Sequence, residues 1–192
     1  MLLTTDPPIA LFDLDNTLAD YSAAIVEGMA RISLPGDPPW VSSIDESPVY
    51  EARRKLIISK PGWWRALKPF QMGFEILEQV KRHGFECYIC SKGPAHHPMA
   101  WAEKVAWCQE HVPGLPIILA DNKSLVYGRV LVDDWPKYGS KWLKHRPRGL
   151  WIIPSQPWNE CVAEGTGVLK YHNGIDRELV SERLVSVGGT KP

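Results

Sequence analysis

The segment that most constrains the fold is Ile9-Ala-Leu-Phe-Asp-Leu-Asp-Asn-Thr-Leu-Ala-Asp20. Its first four residues are apolar and follow Pro7-Pro8, a pattern that predicts a short buried strand of a parallel sheet. Asp13 and Asp15 come directly at the carboxyl end of that strand. Two carboxylates are costly there unless a cation compensates them, so their spacing indicates a divalent metal and a carboxylate nucleophile. A strand that ends in a solvated acidic turn is the alternative.

The composition is that of a globular protein with one core and room for a small subdomain. The chain has 192 residues, of which 44% are hydrophobic, and 22 basic residues balance 22 acidic ones. A neutral chain gives no indication of a nucleic-acid or membrane partner. The sequence has no run of 18 apolar residues and no basic-then-apolar leader, so we expect a cytoplasmic protein. Cys87 and Cys90 fall on opposite faces of a predicted strand, which indicates free thiols.

Apolar strands alternate with helices along most of the chain. Strands are predicted at 9–12, 85–90, 116–120, 130–133 and 150–153, and helices at 21–31, 45–58, 69–82, 98–111 and 176–184. This alternation predicts a doubly wound, parallel α/β sheet. We predict a core of residues 1–20 and 66–158 and a helical cap of residues 21–65, inserted after the first strand. Residues 159–192 form a C-terminal extension to which the sequence assigns no role.

Polar residues follow each of the first four predicted strands. After Asp13 and Asp15 come Ser91-Lys92, then Lys123, then Asp133-Asp134. Each group also has a purely structural interpretation: Ser91 as a helix cap, Lys123 as a solvated loop charge, and Asp133-Asp134 as a turn. Ligands of parallel sheets bind beyond the carboxyl ends of the strands, so all four groups are expected at one crevice. Four acids there need a divalent cation and a lysine, and the remaining space suits a phosphoryl group.

These motifs resemble the four ordered motifs of the haloacid-dehalogenase-like (HAD) phosphohydrolases. Within that superfamily the chain is most similar to the 5'(3')-deoxyribonucleotidases. The similarity rests on Asp-Leu-Asp-Asn-Thr, Pro61-Gly-Trp-Trp-Arg-Ala-Leu, Tyr-Ile-Cys-Ser-Lys-Gly-Pro, the His96-His97 pair, the run from Glu103 to His111, and Asp-Asn-Lys-Ser-Leu-Val through Leu-Val-Asp-Asp. It covers roughly residues 8–135 and fades after Trp158.

The resemblance implies a set of catalytic residues. Asp13 would attack phosphorus and form an aspartyl-phosphate, and Asp15 would protonate the leaving oxygen and then activate water. Ser91 would bind a phosphoryl oxygen, and Lys123 would neutralise charge on the phosphate and the nucleophile. Lys92 replaces a small hydroxyl residue and adds a positive charge near the phosphate.

The resemblance also implies a magnesium site. Its ligands would be Asp13, the backbone carbonyl of Asp15, and either Asp133 or Asp134. Spacing alone does not choose between these last two, although the family pattern favours Asp134.

The predicted insert lies where the family that this chain resembles carries its cap, which closes over the substrate. Family positions that contact the nucleoside fall on Tyr21 and on Trp40, Val41 and Ser42. Tyr21 and Trp40 would stack on a base, a contact worth about 1–3 kcal/mol, and ordinary packing within the cap is the alternative. Asn16-Thr17 and Asp121-Asn122 also depart from the family pattern, which leaves open the base and the choice between 5' and 3' phosphates.

The sequence therefore predicts a magnesium-dependent phosphatase that hydrolyses (deoxy)nucleoside monophosphates. A phosphatase of a sugar phosphate is the first alternative, and a nucleotide-binding protein without turnover is the second. The expected partner is a small-molecule nucleotide, with no nucleic acid and no membrane. The oligomeric state is open, a homodimer included.

Overall fold

A computed structural model describes residues 6–37, 47–94, 97–172, 174 and 176–192. Within these ranges, six strands form one sheet in which every neighbouring pair is parallel. The strands are β1 (Ile9–Phe12), β2 (Glu86–Ser91), β3 (Ile117–Leu119), β4 (Val130–Val132), β5 (Leu150–Pro154) and β6 (Val168–Tyr171). Their order across the sheet is β3-β2-β1-β4-β5-β6. The predicted parallel α/β sheet is confirmed.

The direction of winding reverses beside β1. The chain runs outward from β1 through β2 to β3 and then crosses to β4 on the other side of β1. Phe12, the last residue of β1, pairs with Ile89 of β2 and with Val132 of β4. The residues that follow these strands therefore meet at one edge, in the crevice where open parallel sheets bind ligands.

Helices cover both faces of the sheet. The helices of the described chain are α1 (Tyr21–Ile32), α2 (Pro48–Ile58), α3 (Gln71–Arg82), α4 (Pro98–His111), α5 (Pro136–Lys144) and α6 (Arg177–Ser186). Ala10 and Phe12 pack with α3, α4 and α6, whereas Leu11 packs on the other face with Trp142 of α5. This alternation explains why every residue of the central strand had to be apolar. Among the described residues, no helix is long and apolar enough to span a membrane.

Helices α1 and α2 lie between β1 and the rest of the sheet in chain order, as predicted. Asp20 caps α1, because its Oδ1 accepts a hydrogen bond from a backbone N–H of the first turn at 3.0 Å. The two helices share a small core of Ile25, Met29 and Ile57. Gly28 permits this approach, since a Cβ there would lie 2.7 Å from Ile57. The boundaries of cap and core stay a prediction.

Residues 159–192 contribute to the sheet rather than only following it. Strand β6 pairs with β5 from Val168 beside Trp151 to Tyr171 beside Pro154. The predicted last helix, observed as α6, packs against α3. The sequence did not indicate β6, because the strand has four residues and one of them is Lys170.

Candidate active site

Asp13 and Asp15 lie at the carboxyl end of β1, where they were expected. The backbone N–H of Asp13 donates to Val132 O at 2.8 Å and so extends the pairing with β4. Asn16 then adopts a left-handed conformation with φ +56°, which asparagine tolerates better than most residues. Its Oδ1 accepts a hydrogen bond from the Ser22 backbone at 2.8 Å. The chain thus turns into α1 and leaves Asp15 at the crevice.

Helix α3 fixes the loop that follows Asp15. The backbone N–H of Phe70 donates to Leu18 O at 2.7 Å, just before α3 begins. Gly73 in the first turn lies against the same loop, and a Cβ there would be 1.6 Å from Thr17 O. Only glycine allows this approach, so the sequence of α3 helps to hold the loop after Asp15 in place.

Lys123 joins two of the strand ends. It begins a short 3-10 turn after β3, and its side chain is buried. Its Nζ lies 2.6 Å from Asp13 Oδ1 and 2.7 Å from Asp133 Oδ2. Burial alone would lower the pKa of Lys123, but the two carboxylates raise it above its ordinary value. Lys123 is therefore a permanent cation beside the expected nucleophile.

Asp133 and Asp134 follow β4 and are 0% and 3% exposed. Burial raises the pKa of Asp133 to about 6, although Lys123 opposes the shift. Burial, with the charges of Asp133 and Asp13, raises the pKa of Asp134 well above its usual range. One lysine therefore does not offset the negative charge at this edge of the sheet.

These carboxylates fit a magnesium ion. Asp13, Asp133 and Asp134 each offer one oxygen, and the three oxygens lie within 4.8 Å of one another. Mg²⁺ prefers oxygen ligands, and a divalent cation here would stabilise the ionised carboxylates against their burial and mutual repulsion.

Ser91 and Lys92 lie at the end of β2, as expected. Ser91 is the last residue of the strand and is 1% exposed. Lys92 is on the rim, where its Nζ lies 3.6 Å from Asp121 Oδ1 and its side chain is 42% exposed. The hydroxyl and the ammonium group therefore approach the crevice from the same side, one buried and one solvated.

Lys104 also reaches this site, although no sequence motif indicated it. It projects from α4, is 1% exposed, and donates to Asp15 Oδ2 at 2.6 Å, to Ser91 Oγ at 3.3 Å and to Lys92 O at 3.0 Å. Its Nζ also lies 4.6 Å from the centre of the Trp64 ring. A signal was available, because Lys104 shares the buried stripe of α4 with Ala100, Trp107 and Cys108, where a lysine needs a partner.

Asp15 is held by this lysine. Burial raises the pKa of Asp15, and Lys104 opposes the shift while Asp13 adds to it. Within the described part of the chain, the second carboxylate oxygen, Oδ1, is buried and accepts no hydrogen bond.

A cleft of about 330 Å³ opens above these residues. Its lining includes Asp13, Asp15, Lys92, Lys104, Lys123 and Asp134. We call Asp13, Lys123, Asp133 and Asp134 the cleft floor. Tyr21, Arg54, Ile58 and Trp64, which come from α1, α2 and the segment after α2, also line the cleft, and we call these four the cap wall.

Of the two residues predicted to stack on a base, Tyr21 and Trp40, only Tyr21 lies within the described residues. Tyr21 lines the cleft, and its ring packs against Trp63 and Trp64 with centroids 5.3 and 5.6 Å away. Arg54, which no sequence pattern indicated, donates to the Tyr21 hydroxyl at 3.4 Å. The predicted contacts of Trp40, Val41 and Ser42 lie outside the described residues.

Comparison with solved structures defines the class of protein. The chain aligns with a crystal structure from Burkholderia xenovorans LB400, provisionally named a haloacid dehalogenase-like hydrolase, with a TM-score of 0.56 and 16% identity. The alignment covers 94% of this chain and 99% of that one. The fold is that of the HAD-like hydrolases, as the resemblance implied.

Sequence comparison defines the family. The family profile described as "5' nucleotidase, deoxy (Pyrimidine), cytosolic type C protein" matches residues 7–176. A protein of Vibrio phage KVP40, provisionally named 5'(3')-deoxyribonucleotidase, is 30% identical over 139 residues, which is 71% of each chain. A Bordetella bronchiseptica protein with the same provisional name is 26% identical over 161 residues, 79% of this chain and 85% of that one. The chain belongs to this 5'-nucleotidase family and is a HAD-type phosphoric monoester hydrolase.

Proposed function

We propose that the protein is a magnesium-dependent phosphatase that hydrolyses (deoxy)nucleoside monophosphates through an aspartyl-phosphate on Asp13. The observation that carries the proposal is the buried contact of 2.6 Å between Lys123 Nζ and Asp13 Oδ1, at the end of the central strand and beside a metal-binding set of acids. Such a lysine holds a carboxylate in position to attack phosphorus.

Asp13 and Asp15 divide the chemistry between them. A carboxylate oxygen of Asp13 forms a bond to phosphorus while the bond to the nucleoside oxygen breaks, and Asp15 gives its proton to that oxygen. Asp15 then takes a proton from the water that hydrolyses the aspartyl-phosphate, which restores both carboxyl groups. The raised pKa of Asp15, caused mainly by burial, suits this exchange.

Magnesium would be held by Asp13, the backbone carbonyl of Asp15 and Asp134. Both oxygens of Asp133 have partners within the protein, since Oδ2 bonds to Lys123 at 2.7 Å and Oδ1 accepts the Trp135 backbone N–H at 2.9 Å. This favours Asp134 over Asp133 as the ligand. When bound, the ion would neutralise negative charge on the phosphoryl group.

Charge in the cleft favours an anionic ligand once a divalent cation is bound. The five carboxylates Asp13, Asp15, Asp121, Asp133 and Asp134 face four cations, Arg54, Lys92, Lys104 and Lys123. A divalent cation would therefore leave a net positive charge, which a phosphomonoester would offset. Ser91 and Lys104 would bind phosphoryl oxygens together with Lys92 and Lys123.

The cap wall would receive the nucleoside. Tyr21 offers an aromatic face, and Arg54 offers hydrogen-bond donors beside it. Trp40, Val41 and Ser42 remain proposed members of this pocket. The names of the family and of its relatives support a nucleotide substrate, and the word cytosolic in the family description supports the expected cytoplasmic location.

The experiment is phosphate release from a panel of deoxy- and ribonucleoside 5'- and 3'-monophosphates and sugar phosphates, with Mg²⁺ and with EDTA. We expect the highest kcat/KM on a deoxynucleoside monophosphate and none with EDTA. Asp13→Asn should lower kcat by about 10⁴-fold or more, because the nucleophile is lost.

The matched control is Asp6→Asn, which changes an exposed aspartate and should keep full activity. A preference for sugar phosphates would reject the proposed substrate but keep the chemistry. Equal activity of Asp13→Asn and the wild type would reject the chemistry itself.

A further inference from the structure

A short segment after β5 holds Asp134 in place. Trp158 lies in the 3-10 turn Pro157–Asn159, and its indole Nε1 donates to Asp134 Oδ2 at 2.9 Å. The next residue, Asn159, is fully buried and donates from Nδ2 to Asp134 O and to Pro154 O, both at 3.0 Å. The backbone and the side chain of Asp134 are therefore both fixed by this turn.

The neighbouring aspartates are fixed by donors of different charge. Asp133 is bound by the ammonium group of Lys123, so a positive charge offsets its negative charge. Asp134 is bound by an indole N–H, a donor that carries no charge. The Trp158 bond thus orients the carboxylate of Asp134 without neutralising it.

We propose that Trp158 is a positioning residue that orients Asp134 as a magnesium ligand. Its hydrogen bond occupies Oδ2 and stops rotation of the carboxylate, which leaves the other oxygen for the cation. A cationic side chain in its place would compete with the metal for Asp134, whereas the indole does not. This inference rests on the magnesium site of the proposed function.

The test removes the N–H and keeps an aromatic ring, with Trp158→Phe. Mg²⁺ affinity is measured by isothermal titration calorimetry on the whole protein without substrate. Loss of a hydrogen bond to a metal ligand typically lowers metal affinity about 10- to 100-fold, and we expect a loss in this range. Because the Mg²⁺ concentration needed for half-maximal activity should rise while kcat at saturating Mg²⁺ changes little, the kinetics separate this role from a general loss of structure.

The matched control is Trp142→Phe, because the Trp142 indole donates to a backbone carbonyl away from the cleft, that of Val126, at 3.2 Å. Its Mg²⁺ affinity should stay within about twofold of the wild-type value. Trp158→Gln, which keeps an uncharged N–H donor, should retain more affinity than Trp158→Phe and serves if the phenylalanine variant does not fold.

The outcomes separate this inference from the proposed function. If the wild type binds no Mg²⁺, the proposed metal site is wrong. If the wild type binds Mg²⁺ and Trp158→Phe binds it equally well, the site stands and the role of Trp158 is overturned. An equal loss in Trp142→Phe would also overturn that role, because it would reflect a general effect of removing an indole.

Discussion

The cleft floor and the cap wall are built in different ways. The floor is almost completely buried, and Lys123 makes contacts of 2.6 and 2.7 Å with two of its acids. On the wall, Tyr21 and Arg54 are half-buried and share a hydrogen bond of 3.4 Å. Short contacts at low dielectric are strong and rigid, whereas longer and wetter ones adjust easily. The floor is thus suited to chemistry, and the wall to the selection of a substrate.

Lys104 connects the two regions. It binds Asp15 beside the floor and lies over the ring of Trp64 on the wall. The adjacent Glu103 accepts the backbone N–H groups of Gly62 and Trp64 at 2.7 and 3.1 Å. Helix α4 therefore ties the segment after α2 to Asp15, the proposed acid-base residue, so the wall and the floor share one support.

The largest loss of activity is expected from Lys104→Met. The change removes a buried positive charge from Asp15 and from the expected phosphate position. Because one donor to a transition-state anion is typically worth about 10²- to 10³-fold in rate, kcat/KM for nucleotides and for p-nitrophenyl phosphate should both fall by about that amount. Phosphate release measures both.

Lys81→Met is the control, since Lys81 is exposed on α3 and should leave the rates unchanged. If Lys104→Met lost activity only on nucleotides, Lys104 would belong to the wall and its assignment to the chemistry would be wrong.

A smaller effect is expected from Arg54→Met. The change removes a donor from the wall but leaves the floor intact. Loss of one hydrogen bond of roughly 1 kcal/mol should raise KM for nucleotides about fivefold, while kcat/KM for p-nitrophenyl phosphate, which has no nucleoside, stays the same. Steady-state kinetics on both substrates check this.

Arg53→Met is a close control, because the adjacent Arg53 pairs with Asp37 at 2.7 Å within the cap and should not affect KM. Equal losses of Arg54→Met on both substrates would show that Arg54 acts on the phosphate, and the division between floor and wall would then fail.

The floor was predictable from the sequence because its residues are local to strand ends. Asp13, Lys123 and Asp134 each follow an apolar run, and parallel strands necessarily bring such residues to one edge. The same apolar runs predicted the parallel sheet, but they did not predict helix α5 or strand β6. Helix α5 contains Gly139, and a glycine in a sequence usually indicates the end of a helix. Here glycine is needed for packing, because a Cβ at this position would lie 1.9 Å from the Trp151 ring.

The wall was less predictable because it depends on how helices pack. Arg54 is one of two adjacent arginines, and only the packing of α2 decides which of them faces the cleft. The contact of Trp158 with Asp134 joins residues 24 positions apart, and no spacing rule links a tryptophan to an aspartate over that distance. Local motifs thus indicated the chemistry, while positioning groups required the tertiary structure.

We attribute the tolerance of buried acids in the cleft floor to a divalent cation that shares the space. The folded-state pKa of Asp134 is raised mainly by burial, so its ionisation should cost folding free energy as pH rises from the ordinary aspartate range through the folded pKa. Asp134→Asn removes this cost and still lets the side-chain oxygen accept the Trp158 bond.

Thermal unfolding at pH 7 and pH 5, with Mg²⁺ and with EDTA, tests this most directly. We expect Mg²⁺ to raise the wild-type Tm, and more at pH 7 than at pH 5, because the metal needs ionised carboxylates. Asp134→Asn should exceed the wild-type Tm in EDTA and gain little from Mg²⁺. A wild-type Tm that does not respond to Mg²⁺, or an Asp134→Asn variant that responds as fully as the wild type, would contradict the account.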